Sequence, residues 1–253
     1  MEKTVLSAKG LCKSFAHNGI QNHVISNVNI DFYEGDFTIV MGSSGSGKST
    51  MLYSLSGMDR ATGGEVIYNG GNIVEMSEKM LSELRHSDFG FVFQQMHLVS
   101  NLTLFENVAV PGYINKERSV SSVKKRAEML LDKMGLTDVI SHLPSQVSGG
   151  QQQRCAIARA IINEPTLLFA DEPTGALNRK NTTEVLDLLT ELNSEGQSII
   201  MVTHDMRAAL RGSRIVYIDD GKVVGDLKLP EYQPEEESMR EKQVNSWLSS
   251  MGW

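Results

Sequence analysis

A stretch of nine residues rich in glycine and serine constrains this chain more than any other feature. It matches the phosphate-binding P-loop pattern G-x-x-x-x-G-K-[ST] from Gly42 through Ser49, with an apolar run before it (37–41) that predicts a buried strand and a segment after it (50–56) that predicts a helix. Glycines let the backbone approach phosphate oxygens closely, and the N–H groups at a helix start attract anions. The alternative is a flexible loop, which the flanking strand and helix disfavour. The stretch in full is Gly42, Ser43, Ser44, Gly45, Ser46, Gly47, Lys48, Ser49 and Thr50.

The motif assigns separate tasks to its last residues. Lys48 would reach the β- and γ-phosphates of a nucleotide, and the hydroxyl of Ser49 would bind Mg²⁺. The sequence therefore predicts a nucleotide site that uses Mg²⁺.

The net charge and composition of the chain limit its domain count, its kinds of partner and its cellular compartment. The chain has 253 residues and a net charge of −7, and 40% of its residues are hydrophobic, so it can bury the core of one large α/β domain or two small ones. The acidic balance argues against nucleic acid as the main partner. No apolar run approaches the ~20 residues of a membrane span, and the N-terminus lacks a signal-peptide core, so we expect the chain to stay in the cytosol. Cys12 and Cys155 fit reduced structural thiols better than a disulfide.

Two carboxylates follow a strand that should be buried on both faces. The run 166–170 is continuously apolar, and Asp171 and Glu172 come directly after it. Oxygen ligands suit Mg²⁺, which favours a metal role for Asp171, and Glu172 could orient or deprotonate an attacking water. The alternative is a solvated junction between strand and loop, which the P-loop elsewhere in the chain disfavours.

Three further candidates depend on position. Gln94 follows the predicted strand 89–93, His204 follows the predicted strand 198–203, and parallel strands often end at a ligand. Position alone does not separate a ligand role for Gln94 from a solvated amide. Phe15 lies near the end of the first predicted strand, where an aromatic side chain is more often part of the core than a ligand contact.

The middle and the end of the chain predict helices. Residues 95–163 suggest a helical subdomain inserted into the sheet domain, with one helix ending at Gly135 and another starting at Ser148–Gln151 and running to about Asn163. The tail 230–253 begins acidic and predicts an amphipathic helix, either docked on its own domain or binding a partner. The apolar face of that helix would comprise Met239, Val244, Trp247, Leu248 and Met251.

Together these motifs resemble the nucleotide-binding subunit of ATP-binding-cassette transporters, from Leu6 to about Val224. The string Val147-Ser148-Gly149-Gly150-Gln151 ahead of the carboxylate strand is similar to the signature that separates this family from other P-loop proteins. The stretches 90–95 and 170–177 resemble one branch, the lipoprotein-release, macrolide-export, antimicrobial-peptide-export and cell-division ATPases, which pair with FtsX-like permeases.

The resemblance implies a role for each matching residue. Phe15 would stack on adenine, Gly42 to Thr50 would hold the phosphates, and Ser49, Gln94 and Asp171 would hold Mg²⁺. Glu172 would be the catalytic base, and His204 would sense the γ-phosphate. The signature would contact ATP held by a second copy of the chain in a head-to-tail dimer, through Ser148, Gly149, Gly150 and Gln151.

The resemblance also implies fold, place and function. We expect an α/β fold, a P-loop NTPase core of mainly parallel sheet with an N-terminal antiparallel β subdomain and an inserted helical subdomain. Its ATP-binding domain would span 1–229. The cofactors would be ATP and Mg²⁺, and the chain would lie at the cytoplasmic face of the cell membrane, bound through its permease. It would power a bacterial transporter by hydrolysing ATP; the alternative is a regulatory ATPase that signals through an FtsX-like protein without transport.

Two positions depart from the family pattern. Val147 stands where leucine is usual, an apolar change that we expect to be tolerated. Asn178 stands where the loop along the family's dimer interface usually has aspartate, which affects the expected communication between two sites and not ATP binding.

Overall fold

Two long antiparallel strands open the chain in the computed structural model, which describes residues 3–17 and 20–253. Strand β1 (Thr4–His17) pairs with β2 (Ile20–Tyr33), and the polar loop expected between them falls on residues 18–19, outside the described part. On its other side β1 pairs with β4 (Gly63–Tyr68), which pairs with the short β5 (Gly71–Asn72). All pairings are antiparallel, so this sheet is the expected N-terminal antiparallel one.

The chain divides into two units, residues 1–81 with 192–253 and residues 82–191. In the first unit, a second sheet has β3 (Phe37–Met41) between β8 (Ser198–Val202) and β9 (Arg214–Asp219), both parallel to it. All five residues of β3 and of β8 are buried, as expected for strands covered on both faces. Strand β10 (Lys222–Lys228) adds an antiparallel edge and is joined to β9 by a turn at Asp220 and Gly221.

Among the described residues, three α-helices lie entirely within the first unit. Helix α1 (Lys48–Leu55) follows the P-loop, α7 (Met206–Ala209) follows β8, and α8 (Glu237–Ser250) ends the chain. The helix predicted for the tail is therefore present, but one residue of its predicted apolar face is wrong. Met239 is 65% exposed, and Arg240 takes a buried position instead, where its guanidinium donates to the carbonyls of Pro230 and Gly212.

The second unit pairs β6 (Phe89–Phe93) in parallel with β7 (Leu167–Asp171) and adds three helices. These are α3 (Leu104–Ile114), α4 (Val120–Lys133) and α5 (Gly149–Ala160), each begun by a serine or threonine cap. Helix α5 ends before the predicted Asn163. Helices α2 (Glu78–Ser87) and α6 (Arg179–Ser194) cross the borders between the units.

This architecture confirms the expected α/β fold class, including the antiparallel N-terminal sheet and the helices of the middle segment. The domain borders at 95, 163 and 229 stay predictions. In the described part of the chain, no helix is long and apolar enough to cross a membrane.

Candidate nucleotide site

The P-loop is shaped by the backbone packed around it. A Cβ atom on Gly42 would lie 2.1 Å from the carbonyl oxygen of Ile218, and one on Gly47 would lie 2.9 Å from that of Val24. The turn between β9 and β10 also holds the loop, because the N–H of Gly221 donates to the carbonyl of Ser46 at 3.1 Å. These contacts explain why glycine is required at positions 42 and 47: no side chain fits there.

Lys48 is held by the loop that precedes it. Its side chain is buried, and its ammonium donates to the carbonyl oxygens of Gly42 and Ser43 at 2.9 and 2.8 Å. These bonds fix a positive charge at the start of α1, whose N-cap, Gly47, is left-handed (φ 97°) and offers no capping side chain. The helix start and the ammonium therefore favour an anion at the same place.

One buried hydroxyl in the loop fits a polar ligand. Ser46 is 4% exposed, and its Oγ finds no hydrogen-bond partner among the described residues. Buried polar groups are normally hydrogen-bonded, so this oxygen indicates a place where a ligand or water completes the site. The described ranges contain no cluster of three His, Cys, Asp or Glu side chains that could hold a metal by themselves. Oxygen is the donor type that Mg²⁺ prefers, and the Ser49 hydroxyl at the start of α1 is one such donor.

His204 lies at the edge of the sheet where the P-loop begins. Val202 pairs with Val40, and the N–H of Thr203 donates to the Val40 carbonyl, so β8 and β3 end side by side. His204 is exposed, and the backbone after it is fixed because Asp205 caps α7 and forms an ion pair with Arg207. The structure thus brings His204 and the start of the P-loop to one edge of this sheet.

Phe15 does not join the core. Its side chain is 45% exposed, so the core interpretation of this residue is wrong. The ammonium of Lys13, a buried residue on the same strand, lies over the ring at 4.8 Å from its centroid. Sequence reasoning missed Lys13, although the two-residue spacing in a strand places both side chains on one face.

In the second unit, Gln94 and the two carboxylates end neighbouring strands. Phe93 pairs with Asp171, so Gln94 and Glu172 each follow one member of this pair. Gln94 is exposed and lies close to Gly175, where a Cβ atom would be 2.9 Å from the amide nitrogen of Gln94. The structure therefore gathers Gln94, Asp171 and Glu172, the three residues expected to act on metal and water.

Glu172 has an unusual backbone. Its φ is 44°, a region that non-glycine residues seldom adopt, and its carbonyl accepts a bond from the N–H of Gly175 at 3.0 Å. Such strain costs about 1–3 kcal/mol and is concentrated at functional sites. The tight turn from Glu172 to Gly175 therefore fixes the direction in which the Cα–Cβ bond of the glutamate leaves the backbone.

The signature residues begin α5 with a reciprocal cap. The N–H of Gln151 donates to Ser148 Oγ (3.3 Å), and the Ser148 N–H donates to Gln151 Oε1 (2.9 Å). Gly150 faces Asn181 so closely that a Cβ atom would lie 2.5 Å from the Asn181 side chain. The helix start is thus rigid, and its partner Asn181 is a residue that no sequence motif selects.

A family model described as "ABC transporter" matches residues 25–175. The chain belongs to this family. The match covers the P-loop, Gln94, the signature and the carboxylate strand. It follows that this cassette binds ATP with Mg²⁺ and hydrolyses it.

Curated relatives agree with this assignment. The chain is 39% identical to a macrolide export ATP-binding/permease protein (MacB) of Pasteurella multocida over 89% of its length, and 40% identical to one of Bartonella henselae over 98%. It spans only 35% and 38% of those two proteins.

Solved cassettes have the same fold. The dimeric ATP-binding cassette MJ0796 in a post-hydrolysis state with ADP and Pi is 38% identical, with a TM-score of 0.82, and the match covers 90% of this chain and all of that one. The protein cbiO1 of Clostridium perfringens, part of the ABC transporter complex cbiONQ, is 26% identical with a TM-score of 0.80, over 96% of this chain and 93% of that one.

Proposed function

We propose that this cassette powers a bacterial transporter of the macrolide-export type, by acting on an FtsX-like membrane permease at the cytoplasmic face of the membrane. The observation that carries the proposal is 40% identity, over 98% of this chain, to a protein named as a macrolide export ATP-binding/permease protein. Export of an antimicrobial peptide or a lipoprotein belongs to the same branch. A purely regulatory ATPase is less favoured, because both relatives are named for export.

The residues divide the work of hydrolysis. The P-loop N–H groups and Lys48 would hold the phosphates, Phe15 would stack on adenine, and Ser49, Gln94 and Asp171 would hold the metal. Mg²⁺, when bound, neutralises the charge that develops on the phosphate oxygens. Glu172 accepts the proton of the attacking water, and His204, at the edge where the P-loop begins, donates a hydrogen bond to the γ-phosphate.

A second copy completes the cycle. The capped start of α5, with Ser148, Gly149, Gly150 and Gln151, suits the γ-phosphate of ATP held by another copy, because a rigid helix start presents positive charge to an anion. A solved structure of MJ0796 that is 39% identical to this chain is a dimeric bacterial ABC transporter cassette, which supports a head-to-tail pair here.

Replacing Glu172 with glutamine tests the catalytic part of the proposal. The amide has nearly the same size but accepts no proton, so turnover should fall by about 10²–10⁴-fold while ATP binding persists. ATP should then accumulate in a dimer, measured by light scattering after size exclusion. Lys48→Ala is the matched control, because it should lose binding, turnover and the dimer together. Near-normal turnover of the Glu172→Gln variant would exclude Glu172 as the base.

A chimera tests the transport part. The cassette of the Pasteurella multocida relative is replaced with this chain, and macrolide efflux is measured in a susceptible strain. The wild-type chimera should restore efflux, and the same chimera with Glu172→Gln should not. A membrane-inserted chimera that hydrolyses ATP at the relative's rate without exporting macrolide would contradict the macrolide-export assignment.

A further inference from the structure

Lys13 is a buried cation beside Phe15, the aromatic residue proposed to stack on adenine. It is 7% exposed, while Phe15, two residues further along β1, is 45% exposed. Long charged side chains are almost never this buried without a partner, so the position of Lys13 needs a reason.

The ammonium has three close neighbours. It forms an ion pair with Asp59 at 2.5 Å, donates to the carbonyl of Arg60 at 2.7 Å, and lies 4.8 Å from the centroid of the Phe15 ring. The contacts with Asp59 and Arg60 hold the ammonium in place, and in that place it lies over the face of the Phe15 ring.

Asp59 in turn is attached to the helix of the P-loop. Its N–H donates to the carbonyl of Tyr53, in the last turn of α1, at 3.0 Å, as does the N–H of Met58. The same segment holds β1 directly, because the N–H of Thr62 donates to the Cys12 carbonyl at 2.8 Å. A short series of bonds therefore connects the helix that binds phosphate to the ring proposed to bind adenine.

We infer that Lys13 is a positioning residue for nucleotide recognition: it orients Phe15 relative to α1 and polarises its ring for stacking on adenine. The inference rests on the proposed role of Phe15 as the support of the base. Aromatic faces carry negative charge and repel each other when stacked face to face. A cation over one face withdraws electron density from the ring, so that the opposite face stacks better on an electron-rich purine.

Loss of the Lys13 charge should weaken binding of adenine and leave binding of the phosphates unchanged. Lys13→Met keeps the apolar stem and removes the charge. Its affinity for ATP should fall about 3- to 10-fold, as expected for loss of a desolvated cation–π contact, while its affinity for inorganic tripolyphosphate stays unchanged. Titration calorimetry or ligand competition measures both affinities.

Three matched variants control the measurement. Lys9→Met removes the same charge from an exposed position on the same strand and should leave both affinities unchanged. Lys13→Arg keeps the cation and should retain most of the ATP affinity. In a Phe15→Leu background, Lys13→Met should have no further effect, because the ring through which it acts is gone.

Two results would overturn the inference: an equal loss for ATP and tripolyphosphate, or an undiminished effect of Lys13→Met in the Phe15→Leu background. If Lys13→Met does not fold, Asp59→Asn replaces it, since it keeps the ammonium but releases its anchor and should also weaken ATP alone. Failure of the proposed role of Phe15 is distinguishable, because the Phe15→Leu variant alone would then retain the ATP affinity of the wild type.

Discussion

Replacing Gly42 with alanine tests whether the P-loop owes its shape to the backbone around it. The added Cβ atom would lie 2.1 Å from the carbonyl oxygen of Ile218 and 2.7 Å from Ser46 Oγ. The serine side chain can rotate, but the Ile218 carbonyl belongs to β9 and cannot move without disturbing the sheet. Gly42 also has a φ of 155°, which glycine alone adopts at little cost.

The size of the effect follows from backbone strain and steric overlap. Backbone strain costs about 1–3 kcal/mol, and overpacking of a rigid site costs about 1–3 kcal/mol. Because the obstacle is a backbone atom, both costs apply, and we expect Gly42→Ala to lower the free energy of unfolding by about 3–5 kcal/mol, the middle of their combined range of about 2–6 kcal/mol. Gly42 also supplies a carbonyl to Lys48, so ATP affinity should fall as well.

Gly45→Ala is the control. Gly45 has a φ of 81°, but among the described residues no atom beyond its chain neighbours lies within 4 Å of the place a Cβ would take, so only the backbone cost of about 1–2 kcal/mol applies. Urea unfolding followed by circular dichroism compares the two variants. If Gly42→Ala is no less stable than Gly45→Ala, the contact with Ile218 does not shape the loop, and the reasoning fails.

Three further predictions concern other parts of the chain. Burial raises the pKa of Cys155 to about 12, so alkylation of the native protein should label Cys12 first, and labelling of Cys155 without unfolding would contradict this. The backbone N–H of Thr103 lowers the pKa of Glu106. The hydrogen bond to the ionised Glu106 side chain therefore stabilises the protein above the ordinary pKa of 4.5, and this stabilisation is lost as the pH falls through the lowered pKa. The stability difference between wild type and Glu106→Gln should therefore shrink in acid, and a difference that does not change with pH would contradict this prediction. Deleting residues 230–253 should lower the melting temperature and leave ATP affinity intact, and a loss of affinity would be unexpected.

Local patterns predicted the elements that position the site. The continuous apolar runs of β3, β7 and β8 are buried strands, and the residues directly after them lie at strand ends as expected. These predictions succeed because burial on both faces and the order of strand, loop and helix are both determined by residues close together in the sequence.

The failures share a different cause. Periodicity predicts a buried Met239, but Arg240 is buried instead because carbonyls of Pro230 and Gly212 satisfy its guanidinium. Phe15 is exposed, and the cation beside it is held by Asp59, 46 residues further along the chain. Partners so distant in sequence leave no local signal, so periodicity alone places Met239 inward and aromatic character alone places Phe15 in the core.

Asn178 differs from the aspartate of the family pattern by the loss of one negative charge. The N–H of Asn181 donates to the side-chain oxygen of Asn178 at 2.9 Å, and the N–H of Thr182 donates to its carbonyl at 2.9 Å, so Asn178 caps α6. Asparagine and aspartate cap helices about equally well, so the loop keeps its shape with either residue. Asn181 also contacts Gly150 of the signature, which ties that shape to the start of α5. What the chain lacks, relative to the family pattern, is therefore a carboxylate charge and not a structural element, and any change in communication between two copies would follow from electrostatics.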